Sequence, residues 1–343
     1  MTERPLLTIA IPTFNRASYL EQNLAQIKSE MRGVAPGSVE LLISDNHSTD
    51  STPQVVENAQ RAGLTIRYVR NAENLGWARN FTQCYELASG TYLLLLGDDD
   101  LLTDGALRLL LDRLAGAEYG VVCLGAYGFD ADYRAEYPGN HGFEREFADA
   151  NEFLIGVGAQ ATFISSCVVN KTMLSGVDFR QYANGDLAFL PLVLRAALAA
   201  KRNLYLKKFL VAAKRANSYS YEFSGVFVTE MWRLYDERIG AGLKVETVRK
   251  LERDLLFAYY PYYLLDLRLG RRSDPDVALK NFGARFGGQW LYEIWLAPTL
   301  RLPRPLALVW GGATTIVGRI LHGEWRLGFS FLASKFKRKV PKA

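Results

Sequence analysis

The chain has 343 residues, 49% hydrophobic and 22% charged, with a formal net charge of +5. Such a composition gives a globular protein with room for about two domains and excludes a disordered or fibrous one. The excess positive charge points to an acidic partner (nucleic acid, an anionic membrane or a phosphorylated substrate), yet it is concentrated: residues 301–343 hold nine Lys or Arg against one acid, Glu324, which is +8 and leaves −3 for the first 300 residues.

Taken in chain order, residues 6–11 (LLTIAI) are short and apolar and read as a buried strand ending at Pro12. Leu20, Leu24, Ile27 and Met31 then recur at helical spacing. Val39 to Ser44 reads as a second strand, and Thr49 or Ser51 as the cap of a helix over 53–62 with Pro53 in its first turn. Residues 65–69 read as a third strand, 75–88 as a helix, 92–96 as a fourth strand and 119–124 as a fifth. Strands alternating with helices imply βαβ units, hence a mainly parallel α/β sheet covered on both faces. Residues 125–160 show no period and read as a long loop; 160–170 read as a strand, 184–201 as a helix opening near Asp186, and 208–213 as a last strand. Beyond about 225 the pattern turns helical, with Pro261 interrupting one run and five of the six Trp. This places a first domain at 1–225 and a helical region at 226–343.

Cys84, Cys123 and Cys167 are odd in number and widely spaced, without a CxxC pair, and the three His lie far apart. This argues against a disulfide scaffold or structural zinc and suits a cytosolic setting. No leader pattern precedes the first strand, and no run of 18 apolar residues reads as a spanning helix.

Parallel sheets bind ligands at the carboxyl ends of their strands. Three polar clusters fall there: Thr13-Phe14-Asn15-Arg16, Asp45 to Asp50, and Gly97-Asp98-Asp99-Asp100. Adjacent carboxylates repel one another, and an oxygen-rich, His-poor group suits a hard cation such as Mg²⁺ or Mn²⁺. The same triplet also reads as a solvated turn before a helix from Asp104. Asp45 can accept from a base or ribose, or simply close an Asx turn. Arg16 can meet a diphosphate or solvate a helix start. In Asn74-Leu75-Gly76-Trp77-Ala78-Arg79-Asn80, Gly76 permits close backbone approach and Arg79 can reach phosphate; the alternative is a capped surface helix.

Together the strings AIPTFNR, LLISDNHSTD, NAENLGWARN and YLLLLGDDDLL resemble the nucleotide-binding half of a family 2 glycosyltransferase with the GT-A fold. Order and spacing match over about residues 5–115, and SSCVVNKTML followed by NGDLAFLPLVL extends the likeness to about 220. The branch it is similar to is that of the abequosyltransferases and other O-antigen side-chain enzymes, where GDDD replaces the commoner DxDD. The resemblance implies a Rossmann-like GT-A domain and an inverting, metal-assisted transferase. Pro12, Thr13 and Asn15 then line the nucleoside pocket, Asp45 binds the base, Arg79 and Asn74 sit near the nucleotide, and Arg16 faces the diphosphate. Asp98 and Asp99 occupy the DxD region. If that motif starts at Gly97, Asp99 is the metal ligand; if at Asp98, Asp98 and Asp100 share it. Asp99 is taken as the principal ligand, with Asp100 beside it. Asn184-Gly185-Asp186 matches the family's base motif, so Asp186 is expected to take the acceptor proton at a helix N-terminus, although Asp is also an ordinary N-cap. No His lies between His141 and His322 to touch a diphosphate, leaving Lys214, Arg215 or Asn217 for that part.

The expected donor is a nucleoside-diphosphate sugar, and the acceptor a glycan or polyprenyl-diphosphate-linked glycan. The basic tail mixes Trp310, Trp325, Phe329, Phe331 and Phe336 with Lys and Arg, a combination suited to an anionic membrane surface or to packing on the catalytic domain. The expected location is therefore cytoplasmic, peripheral on the inner face of the cell membrane. The aromatic helices of 226–300 either cover the catalytic domain or form a homodimer. No nucleic-acid partner is expected, since the positive charge sits in a hydrophobic tail. The alternative function is a catalytically inactive sugar-nucleotide binder or membrane scaffold.

Overall fold

The computed structural model describes residues 4–139, 142–215, 222–270 and 274–321. The chain packs as two units, Met1–Tyr219 with Glu237–Lys244, and Ser220–Asp236 with Val245–Ala343.

The first unit is α/β. Its strands are β1 (Leu7–Thr13), β2 (Val39–Asp45), β3 (Arg67–Arg70), β4 (Tyr92–Leu95), β5 (Leu101–Leu102), β6 (Val121–Phe129), β7 (Glu144–Phe147), β8 (Cys167–Asn170) and β9 (Asn203–Lys214). They form one sheet in the order β3-β2-β1-β4-β8-β6-β9-β5, with β7 also on β9. β1, β2, β3 and β4 run parallel, as do β6 and β9; β8 is antiparallel to both its neighbours, and β5 and β7 are antiparallel to β9. Every residue of β1 and β4 is buried. This is why their sequences are apolar runs rather than alternations.

The helices of this unit are α1 (Ala17–Glu30), α2 (Thr52–Arg61), α3 (Trp77–Leu87), α4 (Ala106–Gly116), α5 (Ala150–Val157) and α6 (Leu190–Ala199). Leu20, Leu24 and Ile27 of α1 pack with Ile9 and Ile11 of β1 and Ile43 of β2 in one core. Gly76 enters α3 at φ 79°, a left-handed conformation in which any side chain is strained.

Three sequence expectations are corrected. Residues 125–160 are not a long loop: β6 runs on to Phe129, and β7 and α5 follow. β6 is bulged around Gly125 and β7 is a largely exposed edge strand, which hides their period, whereas α5 does carry a helical pattern, Ala150, Phe153, Leu154 and Val157 behind the cap Asp149, but over only eight residues. The stretch 160–170 is strand only from Cys167; 3₁₀ turns precede it, with Ser166 Oγ bonded to the carbonyls of Gln160 and Phe163. Serine hydroxyls that compete for nearby backbone favour turns over ladders. The helix expected from near Asp186 starts at Leu190, and Asp186 stands in the preceding turn.

The second unit is helical: α7 (Met231–Asp236), α8 (Val245–Asp254), α9 (Tyr260–Arg268), α10 (Pro275–Phe286), α11 (Ala297–Arg301) and α12 (Arg304–Leu321). Pro261 lies in the first turn of α9, just after a π-helical turn at Leu255–Tyr259. Helical conformation is continuous from Val245 to Arg268, so the π-helical turn accommodates the missing N–H, and the Phe257 carbonyl four residues before Pro261 accepts from Trp295 Nε1 at 3.0 Å instead. Trp232, Tyr260, Phe282, Phe286 and Tyr292 are fully buried, and Trp232 Nε1 donates to the Tyr260 hydroxyl at 3.0 Å. Arg285 holds Asp236 and Glu252 together in the same unit.

Candidate active site

After β1 the chain builds β2 and β3 on one side, then crosses to β4 on the other, so the topological switch point lies between β1 and β4. A crevice opens there because β4 leaves early. Its last pairing is Leu95 with Ala10, while β1 continues on β2 alone through Pro12 with Ser44 and Thr13 with Asp45. Pro12 has no N–H to donate, and it sits in β1 beyond the last β4 pairing, with only β2 alongside.

Asp98, Asp99 and Asp100 follow β4 into this crevice. All three are buried, at 3%, 9% and 5% exposure, which excludes the solvated turn. Thr13 Oγ1 donates across the crevice to Asp98 Oδ2 at 2.8 Å. The Arg16 guanidinium forks onto Asp98 Oδ1 at 2.8 Å and Asp99 Oδ2 at 2.7 Å. Asp100 accepts from the Ser165 hydroxyl and, at 3.2 Å, from the Lys214 backbone N–H. Asn23 of α1 donates to the carbonyls of Gly97 and Asp100, at 3.1 and 2.7 Å, and so fixes the turn that carries all three.

Three carboxylates against one arginine leave the cluster short of positive charge. Burial pushes the Asp98 carboxyl up to about 7; Arg16 works against this and Asp99 adds to it. Burial and then repulsion from Asp99 push Asp100 up to about 8, in spite of its bonds to Ser165 and Lys214. For Arg16, burial disfavours the charge, but Asp98 and Asp99 outweigh it and its pKa is raised.

Among the described residues no three His, Cys, Asp or Glu side chains converge as a ready metal cage. Two oxygens do face one space. A Cβ built on Gly97 would stand 3.0 Å from Asp100 Oδ2 and 3.1 Å from Asp99 Oδ1. Glycine at 97 therefore keeps open a small cradle lined by carboxylate oxygen. The donor set fits a hard divalent cation that takes one or two carboxylates and fills its remaining positions with phosphate or water.

Asp45, at the end of β2, is fully buried; it accepts from Ser48 N at 2.8 Å and Tyr68 Oη at 2.5 Å, and Arg70 lies 3.5 Å away. Asn15 has φ 52° and accepts from Thr49 N at 2.7 Å, tying the loop after β1 to the loop after β2. Asn74 accepts from Asn46 Nδ2 at 2.7 Å and from Gly76 N at 2.9 Å, closing the entry to α3. The structure thus brings Thr13, Arg16, Asp98 and Asp99 into direct contact, with Asp100 next in the chain and held by Ser165, Asp45 at the end of β2, and Asn15 and Asn74 in the adjoining loops. Arg79 is held elsewhere: it lies along α3, paired with Glu86 at 2.9 Å. Asp186 is exposed, four residues before α6, so a helix N-terminus does not position its carboxylate. Lys214 Nζ bonds the Asp130 carbonyl and Arg215 pairs with Asp130 and Glu136, while Asn217 lies outside the described residues.

Sequence reasoning missed Asn23, Ser165 and Tyr68. Asn23 carried a usable signal, since it interrupts the apolar face of α1 beside Leu20, Leu24 and Ile27. Ser165 had none, because its contact with Asp100 spans 65 positions.

The model of glycosyl transferase family 2 matches residues 8–170. The chain is 30% identical over 188 residues to abequosyltransferase RfbV of Salmonella typhimurium, covering 51% of this chain and 55% of that protein. It is 34% identical over 110 residues to the GalNAc(5)-diNAcBac-PP-undecaprenol beta-1,3-glucosyltransferase of Campylobacter jejuni, covering 32% of this chain and 34% of that protein. The chain therefore spans about half or less of the length of these curated relatives. Among solved structures it is similar to S. aureus TarS 1-349 in complex with UDP-GlcNAc, with TM-score 0.60 and 16% identity over 93% of this chain and 92% of that one. It is also similar to mannosyltransferase PcManGT from Pyrobaculum calidifontis in complex with GDP-Man and Mn²⁺, with TM-score 0.53 and 17% identity over 92% of this chain and 88% of that one. The mainly parallel sheet with its switch-point crevice is thus a fold similar to the GT-A glycosyltransferases. Within that fold, residues 8–170, just under half of the chain, are the part that matches the family 2 glycosyl transferase model.

Proposed function

We propose that the protein transfers a sugar, with inversion, from a nucleoside-diphosphate donor to a hydroxyl of a glycan or lipid-linked glycan in cell-surface polysaccharide synthesis. The observation that carries this reading is the switch-point crevice, where Asp98, Asp99 and Asp100 are buried around a single arginine. The functions named for the Salmonella and Campylobacter relatives support the class of reaction.

The loops around Asp45, Asn15 and Asn74 would hold the nucleoside, with Pro12 and Thr13 forming the floor. Asp99 and Asp100 would hold Mg²⁺ or Mn²⁺, which when bound offsets negative charge on the departing diphosphate. Arg16 is the nearest cation to the carboxylates and would turn from them towards the phosphates. Asp186 would accept the proton of the acceptor hydroxyl. The acceptor oxygen bonds to the anomeric carbon on the face opposite the leaving group, and the bond from that carbon to the phosphate oxygen breaks with its electron pair. The basic tail of 301–343 would keep the protein at the cytoplasmic face of an anionic membrane, where a lipid-linked acceptor resides. Among the described residues no helix is long and apolar enough to cross a membrane.

The test is a panel of UDP-, GDP-, CDP- and dTDP-sugars, scored for thermal stabilisation of the protein with Mn²⁺ and then for transfer to membrane extracts. One stabilising donor whose sugar appears in product with inverted anomeric configuration is expected. Failure of every donor to stabilise or react would remove the proposal.

A further inference from the structure

Helix α12 is amphipathic in the wrong sense for a helix of a water-soluble unit. The residues it buries are Ala307, Gly311, Thr314, Thr315 and Gly318, all small. They let the helix lie close to its neighbours: a Cβ at Gly318 would stand 2.5 Å from the Phe257 carbonyl oxygen, and one at Gly311 would stand 3.0 Å from Thr299 Cγ2. The large apolar residues point the other way. Leu306, Val309, Trp310, Val317, Ile320 and Leu321 are exposed by 38% to 73%. At 100° per residue all six fall within an arc of about 120°. A helix that packs through Gly, Ala and Thr and turns Leu, Ile, Val and Trp outward follows the rule of helices in lipid, where association rests on close backbone approach.

Exposed apolar residues also occur in the segment that packs beside α12. Trp290 and Ile294 are 71% and 61% exposed, and Trp310 Nε1 donates to the Trp295 carbonyl at 3.1 Å, joining the two segments. Eight of the fourteen large exposed hydrophobic residues of the described chain lie within 290–321. A concentration of this kind marks an interaction surface.

Charge selects the partner. Between 290 and 321 the sole acid, Glu293, pairs with Arg301 at 2.6 Å, while Arg304 and Arg319 also lie in this stretch. The 22 residues that follow Leu321 add six Lys or Arg and one acid. A second copy of the chain would bring the same positive charge to the contact and be repelled. An anionic lipid surface would be attracted.

We propose that α12, with Trp290 and Ile294, lies in the plane of an anionic bilayer and inserts its outward apolar side chains among the lipids. This rests on the membrane association proposed above and assigns it to a folded helical face rather than to the basic tail alone. The helix is not apolar enough to span, so it lies on the surface, with insertion about 5–10 Å deep.

The test is co-sedimentation of the full-length protein with phosphatidylcholine vesicles, with and without phosphatidylglycerol. Val309→Glu and Leu321→Glu change residues exposed by 73% and 67%, so the fold should hold, and circular dichroism would check it. Each is expected to cut partitioning into anionic vesicles about tenfold or more, because a buried apolar contact is replaced by a charge facing lipid. A variant with Lys335, Lys337, Arg338 and Lys339 changed to Gln should weaken binding but retain a salt-resistant component. If both glutamate variants bind like wild type while the tail variant loses all binding, the α12 face is refuted and the membrane reading stands. If wild type itself ignores anionic vesicles, both readings fall. A wild-type dimer that ignores vesicles and is split by Val309→Glu would identify a second copy as the occupant and overturn the proposal.

Discussion

Replacing Asp98 by Asn keeps the shape of the side chain and removes one negative charge. The oxygen of the new amide can still accept from Arg16, and its NH₂ can donate to the Thr13 hydroxyl, so the geometry need not change. The Asp98 carboxyl stands at about 7 in the folded protein against 3.8 for the free side chain. The folded state therefore binds this proton more tightly than the unfolded chain. Where native protein holds more protons, stability falls as pH rises. The penalty is absent well below pH 4, grows through the range from about 4 to 7, and levels off at about 4 kcal/mol above it. Between pH 5 and pH 8 it increases by about 2 to 3 kcal/mol. Asp100, raised to about 8, adds in the same direction. In chelator, Asp98→Asn should thus gain on wild type by about 4 kcal/mol at pH 8 but only about 1 kcal/mol at pH 4.5, measured by urea unfolding midpoints at each pH. The carboxylate would be a stability cost maintained for function. A gap between the two proteins that does not change with pH would refute the reasoning, since Arg16 would then compensate Asp98 in full.

Three further outcomes follow from the same geometry. Asp186→Asn should abolish transfer and leave donor binding by calorimetry unchanged; wild-type turnover would end its assignment as base. Gly97→Ala should weaken Mn²⁺-dependent nucleotide binding about tenfold or more, since its Cβ would crowd Asp99 Oδ1 and Asp100 Oδ2 at 3.1 and 3.0 Å. Unchanged affinity would show that the cation does not use that cradle. Tyr68→Phe removes a donor from fully buried Asp45 and should cost about 1–3 kcal/mol of stability, whereas a neutral effect would mean that Arg70 and Ser48 satisfy the carboxylate alone.

The parallel half of the sheet, and the polar clusters at its strand ends, can be read from the amino-acid order alone. β1, β2 and β4 are buried on both faces, and burial on both faces writes itself as unbroken apolar runs with polar residues just after them. Thr13, Asp45 and Asp98 were legible for that reason. The bulged part of β6 and edge strand β7 have no clean period to read, and the helical pattern of α5 spans only eight residues.

What the clusters do to one another emerges with folding. It joins Arg16 to two carboxylates 82 and 83 positions away and brings Ser165 and the Lys214 backbone to Asp100. It also sends Arg79 along its own helix to Glu86 and puts the start of α6 beyond Asp186. In α12 it settles which side of an apolar stretch is packed, because the pattern of small and large residues shows two faces but not which one meets the protein. The physical reason is the same in each case. Local sequence fixes backbone preference and periodicity, whereas ion pairing, desolvation and the choice of a buried face depend on groups that only folding brings within a few ångströms.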